Sequence, residues 1–454
     1  MYLNRGGRFI IDAEKNFDHL IDSINDRSIN IAVVGLGYVG LPTAISLHDS
    51  GFHVIGIDIS ESLIQSLTDG RHAISEEAGL TIPNGESWEV TTDFKSSIPR
   101  CDIAILCVPT PVDETLKPNV SYVTSALKSV IDSKNPDKDL VIILESTVHP
   151  GTTRHCLSEA IGERDQSKLG VMLAYCPERI SPGEPNRGVG GVSRVIGADS
   201  ENLAAALTVL YSSITKESVT PVKSIEVAEA SKLVENAQRD IDIAFVNELA
   251  IVLPKMGLDV EDVLEASSTK WNFHRHSPGM GVGGHCIPID PHYYIEFAKK
   301  MGTPSAMSPS ARQLNSSMPK HSAEEVNRFC DGSIGRILLM GYSYKPNVSD
   351  TRETPVGPFI EEVYRLGAKE IFVWDSWVGP NQIHELATPI SDPFALENID
   401  CIVICTAHDD ILSLDWGRIK IIMSEPRIYD SRRCLNKAEM LEIGWSLHAI
   451  GMPL

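Results

Sequence analysis

INIAVVGLGYVGLPTAISLHDSGFHVIGIDIS, residues 29–60, contains two short apolar runs separated by a helical pattern. The first run, Ile31–Val34, predicts a buried strand, and the second, His53–Ile57, predicts another. Two strands joined by a helical crossover form a parallel pair, because the helix carries the chain back to the same end of the sheet. The stretch therefore predicts an α/β fold.

Three glycines follow the first predicted strand in the spacing Gly-x-Gly-x-x-Gly. Gly35 permits a tight turn, Gly37 lets the backbone approach a pyrophosphate, and Gly40 lets the helix pack closely on the strand. The N-terminus of that helix supplies N–H groups to phosphates. Asp58 ends the second strand, where a carboxylate can accept from both hydroxyls of a ribose. Because no Arg or Lys follows Asp58 within four residues, we predict NAD rather than NADP as the cofactor.

Strand–helix alternation continues on both sides of a helical middle region. A long helix is predicted from about Ser224, because apolar residues recur with a period near 3.6, and Pro254 marks its end. We predict an α/β fold with two Rossmann-like, doubly wound parallel-sheet domains joined by a central helical domain. The other predicted strands are Ile103–Val108, Leu140–Leu144, Gly170–Tyr175, Arg194–Ile196, Arg336–Gly341, Ile371–Trp374, Cys401–Cys405, Ile419–Ile422 and Ile428–Asp430. The predicted regions are an N-terminal extension with a weak helical pattern (1–28), a cofactor-binding domain (29–215), the helical domain (216–328) and a second α/β domain (329–454).

The composition argues against several classes of protein, among them nucleic-acid-binding and membrane-spanning proteins. The chain has 454 residues, 42% of them hydrophobic and 22% charged, as in globular proteins. Its 61 acidic and 40 basic side chains give a net charge of −21, which argues against nucleic acid or an anionic membrane as a partner. No apolar stretch reaches the length of about 18 residues that a membrane span needs, and no secretory signal is visible. The nine cysteines show neither disulfide-framework nor zinc-site spacing, which predicts a reducing, cytoplasmic location and no metal.

One cysteine has a different setting. Cys286 lies in the loop Gly-Gly-His-Cys-Ile-Pro-Ile-Asp-Pro, residues 283–291. Asp290 followed by Pro291 is typical of a helix N-cap and first helical residue. Cys286 would then lie just ahead of a helix N-terminus, where the thiolate is favoured. Flanking glycines would leave room for a substrate, so we predict a nucleophilic thiol here.

Two polar residues on the predicted long helix share a face. Lys232 and Asn236 are four residues apart, so their side chains lie one above the other. A lysine in such a position is commonly solvated. Beside a nucleophilic thiol, however, Lys and Asn together could stabilise an oxyanion.

The chain resembles the UDP-glucose/GDP-mannose (nucleotide-sugar) 6-dehydrogenases from about residue 29 to 450. Seven motifs carry the resemblance in order: GLGYVGLP (35–42), CVPTP (107–111), ESTVHPGTT (145–153), CPERISPG (176–183), AEASKLVENAQRDIDIAFVNELA (228–250), GGHCIPIDP (283–291) and GYSYKPNVSDTRETP (341–355). Within the family the closer resemblance is to the UDP-N-acetylhexosamine branch. The UDP-glucose branch has a Lys where this chain has Ile289, and a second Glu where it has Pro182.

The resemblance implies the roles of individual residues. The implied catalytic residues are Cys286, Lys232, Asn236, Asp290, Glu178 and Thr147. The implied cofactor contacts are Gly35, Gly37, Tyr38, Val39, Gly40, Asp58, Pro109, Thr110 and Thr147. The implied contacts to the UDP-sugar are Glu178, Arg179, Lys232, Asn236, Gly283, His285, Lys345, Arg352 and Arg432, whereas Arg239 could be purely structural.

The resemblance also implies a four-electron oxidation of the sugar C6 alcohol to a carboxylate with two NAD⁺ in turn. A water or Lys232 would take the hydroxyl proton in the first oxidation. Cys286 would capture the aldehyde as a thiohemiacetal, and the second oxidation would give a thioester. Water activated by Asp290 or Glu178 would hydrolyse it. The family also implies a homodimer, for which the long helix offers apolar residues on more than one face.

Three alternatives stay open at the level of sequence. The first is a UDP-glucose 6-dehydrogenase with atypical motifs. The second is a two-electron hydroxyacid dehydrogenase, which would have no use for the thiol. The third is an NAD-binding regulatory protein without catalysis, against which the complete set of implied catalytic residues argues. The configuration of the N-acetylhexosamine (ManNAc, GlcNAc or GalNAc) also stays open.

Overall fold

The computed structural model describes residues 17–72, 75, 79–181, 184 and 186–454. Most of the predicted N-terminal extension, residues 1–16, and the Pro182 and Gly183 of one motif lie outside the described residues. The chain packs as two compact units. The first contains residues through Val234 together with His292–Phe297, and the second contains Glu235–Pro291 and Ala298–Leu454.

The sheet of the first unit has eight strands in the order β3-β2-β1-β4-β5-β6-β7-β8. Strand β1 lies between β2 and β4 and is parallel to both, as the opening motif predicts. One pairing differs from the predicted parallel sheet, because β7 runs antiparallel to β6. The strands are β1 Asn30–Val34, β2 His53–Ile57, β3 Trp88–Thr91, β4 Ile103–Leu106, β5 Leu140–Leu144, β6 Val171–Tyr175, β7 Arg194–Ala198 and β8 Val219–Pro221.

Helices cover both faces of this sheet, and each face has its own apolar core. Alternate residues of β1 divide between the two cores: Ile31 and Val33 lie in one, and Ala32 and Val34 in the other. The first helix belongs to the predicted extension, yet its Ile24 is fully buried in the first of these cores. The helices are α1 Asp18–Asn25, α2 Gly40–Asp49, α3 Glu61–Thr68, α4 Phe94–Ser97, α5 Ser121–Ser133, α6 Thr152–Ile161 and α7 Glu201–Ser212.

The predicted long helix is present as α8, Ile225–Val252, which has 28 residues. Pro254 lies in the single 3-10 turn that follows it, Leu253–Met256. The other helices are α9 Val260–Ser268, α10 Asp290–Lys300, α11 Met307–Phe329, α12 Val356–Arg365, α13 Asp409–Leu412 and α14 Lys437–Glu442. No helix among the described residues is both long and apolar enough to cross a membrane.

The sheet of the second unit has six parallel strands in the order β11-β10-β9-β12-β13-β14. They are β9 Arg336–Met340, β10 Glu370–Trp374, β11 Thr388–Ile390, β12 Cys401–Ile404, β13 Arg427–Asp430 and β14 Ser446–Ala449. The two sheets and the long helix confirm the predicted fold class.

One predicted strand is wrong. Ile419–Ile422 forms a 3-10 turn. Ile419 and Ile422 are buried while Ile421 is 82% exposed. Burial of residues three apart fits one turn of a 3-10 helix, whereas a strand would bury residues two apart.

Candidate active site

The glycine-rich turn of the first unit leaves no room for side chains on its inner side. Gly35 has φ +89°, and a Cβ there would lie 2.9 Å from the carbonyl oxygen of Cys107. A Cβ on Gly40 would lie 1.8 Å from the carbonyl oxygen of Gly35. A Cβ on Gly37 would meet nothing within 4 Å. The backbone at Gly37 therefore faces open space at the start of α2, where a pyrophosphate can approach.

The carboxylate of Asp58 lies against this turn. It follows β2, and its Oδ2 accepts from the backbone N–H of Leu36 at 2.9 Å, while Oδ1 accepts from that of Ser60 at 3.0 Å. The neighbouring Ile59 is 83% exposed. A fixed carboxylate beside a glycine turn, followed by an exposed isoleucine, fits the ribose and adenine of NAD.

The motifs that follow β4 and β5 meet at the carboxyl end of the sheet. The hydroxyl of Ser146 donates to the carbonyl oxygen of Val108 at 2.6 Å and so ties the two segments together. The carbonyl oxygen of Thr110 accepts from the Tyr293 hydroxyl at 2.9 Å. This end of a parallel sheet is where such folds bind their ligands. Pro109, Thr110 and Thr147 lie in these two segments, and their contacts with the cofactor stay a prediction.

Lys232 and Glu178 come together in the first unit. Both are 7% exposed, so the solvated alternative for the lysine does not hold. Lys232 Nζ donates to the backbone carbonyl of Glu178 at 2.6 Å. Burial raises the pKa of the Glu178 carboxyl to about 7, although nearby Lys232 and Arg194 act in the opposite direction. A carboxyl group titrating near neutrality can serve as a general base. The next residue, Arg179, donates to the carbonyl oxygen of Ser193 at 3.4 Å.

A buried ion pair behind Glu178 was not predicted from the sequence. Arg194 and Glu145 have fully buried side chains, with Nη1 and Oε1 3.4 Å apart. The Tyr211 hydroxyl donates to the same carboxyl oxygen at 2.7 Å, and the Cys107 thiol donates to the other at 3.5 Å. In the sequence, Arg194 and Glu145 each stand out only as a charged residue at the edge of an apolar run. The pairing itself depends on the fold.

Cys286 lies in the second unit at the start of α10. All nine cysteines fall within the described residues, and Cys286 is exposed while the other eight are buried or half-buried. Its backbone carbonyl accepts from the N–H of Asp290 at 2.8 Å, so the turn that leads into the helix begins at Cys286. The helix itself begins at Asp290 rather than after it. A thiol in this position experiences the positive end of the helix dipole, which favours the thiolate.

Asp290 lies at the end of the loop that carries Cys286 and is held there by the long helix α8. Its carboxylate is 2% exposed and accepts from Asn236 Nδ2. Asn236, Asp290 and the Cys286 loop are therefore assembled in the second unit, while Lys232, one helical turn earlier on α8, bonds within the first. The predicted catalytic residues thus form two groups, one in each unit.

The loop glycines also allow close packing on one side of the loop. A Cβ on Gly283 would lie 2.6 Å from Cβ of Tyr344, and one on Gly284, at φ +88°, would lie 2.7 Å from the ring of the same tyrosine. The N–H of Gly284 donates to the carbonyl oxygen of Arg352 at 3.0 Å. On this side the space is filled by the chain and not left for a substrate. The glycines let the loop pack against the segment 341–355.

The predicted cations of the second α/β domain differ in their surroundings. The Arg352 guanidinium forms a fork with Asp350, with contacts of 2.9 Å at Nε and 2.6 Å at Nη2. Arg432 Nε donates to the carbonyl oxygen of Cys405 at 2.6 Å, and burial lowers the pKa of its guanidinium. Its Nη1 lies 3.4 Å from the position a Cβ would take on Gly279, so it borders the catalytic loop. Lys345 lies in the loop after β9, where its carbonyl oxygen accepts from the Ser343 hydroxyl.

Comparison with known proteins agrees with this geometry. The three models of the UDP-glucose/GDP-mannose dehydrogenase family match in order: the NAD binding domain at residues 29–215, the central domain at 226–317 and the UDP binding domain at 338–437. The chain is 33% identical to a UDP-N-acetyl-D-glucosamine 6-dehydrogenase of Pseudomonas aeruginosa, over 90% of this chain and 98% of that one. It is 31% identical to a UDP-N-acetyl-D-mannosamine dehydrogenase of Methanocaldococcus jannaschii, over 93% and 96%.

A solved structure of a UDP-D-ManNAc dehydrogenase from Pyrococcus horikoshii superposes with a TM-score of 0.80 at 31% identity, covering 93% of this chain and 99% of that one. The glycine turn with Asp58, the buried Lys232 and the exposed Cys286 all lie within the matched domains. The chain is a member of the UDP-glucose/GDP-mannose dehydrogenase family, NAD-dependent oxidoreductases that act on nucleotide sugars.

Proposed function

We propose that this protein oxidises the C6 hydroxyl of a UDP-N-acetylhexosamine to a carboxylate, with two NAD⁺ consumed per sugar. The observation that carries the proposal is an exposed Cys286 at a helix N-terminus beside Asp290, in a chain whose relatives are UDP-N-acetylhexosamine dehydrogenases. Ile289, in place of the lysine of the UDP-glucose branch, supports the N-acetylated substrate. We propose no preference among ManNAc, GlcNAc and GalNAc.

Each catalytic residue has its own role in the two oxidations. When bound at the glycine turn and Asp58, NAD⁺ would supply the hydride acceptor for each oxidation at C6. A water or Lys232 takes the proton of the C6 hydroxyl. The Cys286 thiolate adds to the aldehyde carbon, which keeps the intermediate covalently bound between the two oxidations. Asn236 and Lys232 stabilise the C6 oxygen while it is negatively charged.

Hydrolysis completes the reaction. Water attacks the thioester carbonyl, its proton passes to Asp290 or Glu178, and the Cys286 thiolate leaves as the carboxylate forms. Glu178 suits this role because burial raises its pKa to about 7. Thr147, after β5, orients the water or the substrate.

We assign the ligand contacts by region. Residues 29–215 hold NAD through the glycine turn, Asp58 and the segments after β4 and β5. Residues 329–454 hold the nucleotide, while 216–328 carry the catalytic loop. The nucleotide sugar is contacted by Arg179, Gly283, His285, Lys345, Arg352 and Arg432.

The test is NADH release with UDP-GlcNAc, UDP-GalNAc, UDP-ManNAc and UDP-glucose. We expect two NADH per sugar and the highest kcat/KM for one of the N-acetylated sugars. One NADH per sugar contradicts the proposal, and so does a higher kcat/KM for UDP-glucose. No oxidation of any UDP-sugar by a protein that binds NAD would favour a regulatory role.

A thiol substitution tests the covalent step. We expect Cys286→Ala to abolish formation of the uronate, since the aldehyde can no longer be captured. Buried Cys156 offers a matched control, and Cys156→Ala should retain turnover. Mass spectrometry of the stalled wild-type enzyme should show the sugar attached to Cys286. Full turnover by Cys286→Ala would overturn the mechanism.

A further inference from the structure

A buried polar network joins the long helix α8 to helix α11 in the second unit. Asp240 on α8 is fully buried, and Oδ1 accepts from Arg312 Nη1 at 2.7 Å and from Asn315 Nδ2 at 2.8 Å. Asn315 Nδ2 also donates to the backbone carbonyl of Asp240 at 3.0 Å. Arg312 and Asn315 are 8% and 1% exposed. Two charges and an amide are thus held away from water between two helices.

The network continues to both ends of the loop that carries Cys286. Asn247, also on α8, donates from Nδ2 to Asn315 Oδ1 at 2.9 Å, and its Oδ1 accepts from the backbone N–H of Gly279 at 2.9 Å. At the other end, Arg312 Nη1 donates to the carbonyl oxygen of Ile287 at 3.3 Å, one residue after the thiol. The loop 279–290 is therefore fixed at its start and beside Cys286.

These contacts lie along the same helix that holds Asp290. Asn236, Asp240 and Asn247 are four and seven residues apart on α8, so they share one face. Each makes or supports a contact to the loop: Asn236 to the Asp290 carboxylate, Asp240 through Arg312, and Asn247 to Gly279. One face of α8 thus contacts the loop directly at two points and, through Arg312, indirectly at a third.

Packing alone does not require such groups. A buried ion pair gains little stability over apolar side chains of the same volume, because desolvation offsets the attraction. Here, however, Arg312 and Asn247 direct their hydrogen bonds to main-chain atoms of the glycine-rich loop that carries Cys286. A nucleophile must be held within about 0.5 Å of its productive position, which requires the supporting groups themselves to be fixed.

We propose that Asp240, Asn247, Arg312 and Asn315 are positioning residues that hold the loop 279–290 and present the Cys286 thiol at the N-terminus of α10. The proposal rests on the role of Cys286 as the nucleophile. None of the four residues has to contact the substrate or NAD. They act through the loop backbone.

The test compares a charge-neutral double variant with the wild type. Asp240→Asn with Arg312→Gln removes both charges together and leaves no buried charge unpaired, while the shorter Gln no longer reaches the Ile287 carbonyl. Iodoacetamide alkylation of Cys286, followed by mass spectrometry without substrate, measures thiol reactivity per folded molecule. We expect the rate at neutral pH to fall about tenfold, because a thiol displaced from the N-terminus of α10 loses the helix dipole that favours the reactive thiolate. The midpoint of the alkylation rate against pH should rise accordingly.

Turnover should respond in the same direction. We expect kcat to fall by about 10- to 100-fold, because a displacement of about 1 Å costs up to that much, while the KM values for NAD and the UDP-sugar stay within about threefold. Arg312→Lys keeps the charge beside Asp240 and should restore part of the activity. Arg328→Gln, an exposed substitution on the same helix, is the matched control and should leave both measurements unchanged.

The outcomes separate the two proposals. One outcome is that the double variant has the alkylation rate and kcat of the wild type per folded molecule. That result would overturn the positioning role, even if the melting temperature of the variant is lower, because the network would then only stabilise the fold. Shifted alkylation in the variant, together with one NADH per sugar in the wild type, would uphold the positioning role and contradict the proposed function.

Discussion

Glu178 is a buried carboxyl group whose surroundings carry both signs of charge. Burial raises its pKa, Lys232 and Arg194 lower it, and Glu145 raises it again, which leaves the value at about 7. Below that pH the carboxyl is protonated and cannot accept a proton from water. If Glu178 is the base for thioester hydrolysis, this step accelerates as pH rises and levels off above about 7.

Glu178→Gln tests this assignment. We expect the substitution to slow hydrolysis by about 10²- to 10⁴-fold, the contribution of a general base, and to remove the inflection near neutral pH. Single-turnover mass spectrometry would show the thioester accumulating on Cys286. Asp290→Asn is the companion variant. If the inflection persists in Glu178→Gln and disappears in Asp290→Asn, the base is Asp290.

For single residues, the sequence predicts the position on a helix or strand but not the partner of the side chain. The pattern placed Lys232 and Asn236 on one helical face but left open whether the lysine was solvated, because periodicity does not say what covers a face. Burial against Glu178 answers that question. The pairing of Arg194 with Glu145 links residues 49 positions apart. Nothing in either local stretch identifies the partner.

Helix α8 is attached at its first turns by a carboxylate. Glu229 is fully buried and accepts from the N–H of Gly151 at 2.6 Å, from the N–H of Thr153 at 2.9 Å and from the Thr153 hydroxyl at 2.7 Å. It therefore caps helix α6 from another element, three residues before Lys232. Loss of the carboxylate would leave these donors buried without a partner.

We expect Glu229→Ala to lower the free energy of unfolding by about 3 kcal/mol, the sum of a lost cap and unsatisfied buried donors. Chemical denaturation of the wild type and the variant measures the change in the free energy of unfolding. Gln238→Ala, an exposed substitution on the same helix, is the control and should change the free energy by less than about 0.5 kcal/mol. A loss for Glu229→Ala no larger than that for the control would show that water replaces the carboxylate.

Whole elements were predictable where their pattern was long or strongly apolar. The sequence predicts strands β1 and β2 because burial on both faces gives each a continuous apolar run. It predicts the 28-residue helix because burial on one side gives apolar residues with a period near 3.6. The sequence does not predict strands β3, β8, β11 and β14, since the sequences Trp-Glu-Val-Thr, Val-Thr-Pro, Thr-Pro-Ile and Ser-Leu-His-Ala are short and mixed in polarity. The sequence predicts a strand at Ile419–Ile422, where the structure has a 3-10 turn, because four residues are too few to distinguish a period of two from a period of three.

At the scale of the whole molecule, the acidic composition is compatible with anionic ligands. The net charge of −21 describes the chain as a whole, whereas the phosphate binding that we propose depends on local groups: the helix N-terminus at the glycine turn and a few cations such as Lys345 and Arg432. The sequence could predict these groups by their motifs. It could not predict that Arg352 pairs with Asp350, or that the loop glycines pack against Tyr344.

Assembly is the property that depends most on the whole molecule. Four apolar residues on α8 are exposed: Val227, Val234, Phe245 and Val252. Their spacings of 7, 11 and 7 residues return to nearly the same angle on a helix with 3.6 residues per turn, so they form one stripe. An apolar stripe along a long helix is characteristic of a helix that packs against a partner, and a second copy of the chain supplies an identical stripe. We propose a homodimer formed through this face.

Phe245→Glu tests the dimer with little risk to the fold, because the side chain is 56% exposed. A two-fold interface through this stripe would bury the introduced carboxylate of each copy in an apolar contact, and desolvation opposes association. Light scattering should give a mass near twice 49.7 kDa for the wild type and a concentration-dependent shift toward 49.7 kDa for the variant. Arg239→Gln, exposed on the same helix and about 120° around it from the stripe, should behave as the wild type. A wild-type monomer at working concentration would rule out the dimer, and a stable dimer of Phe245→Glu would place its interface on another face.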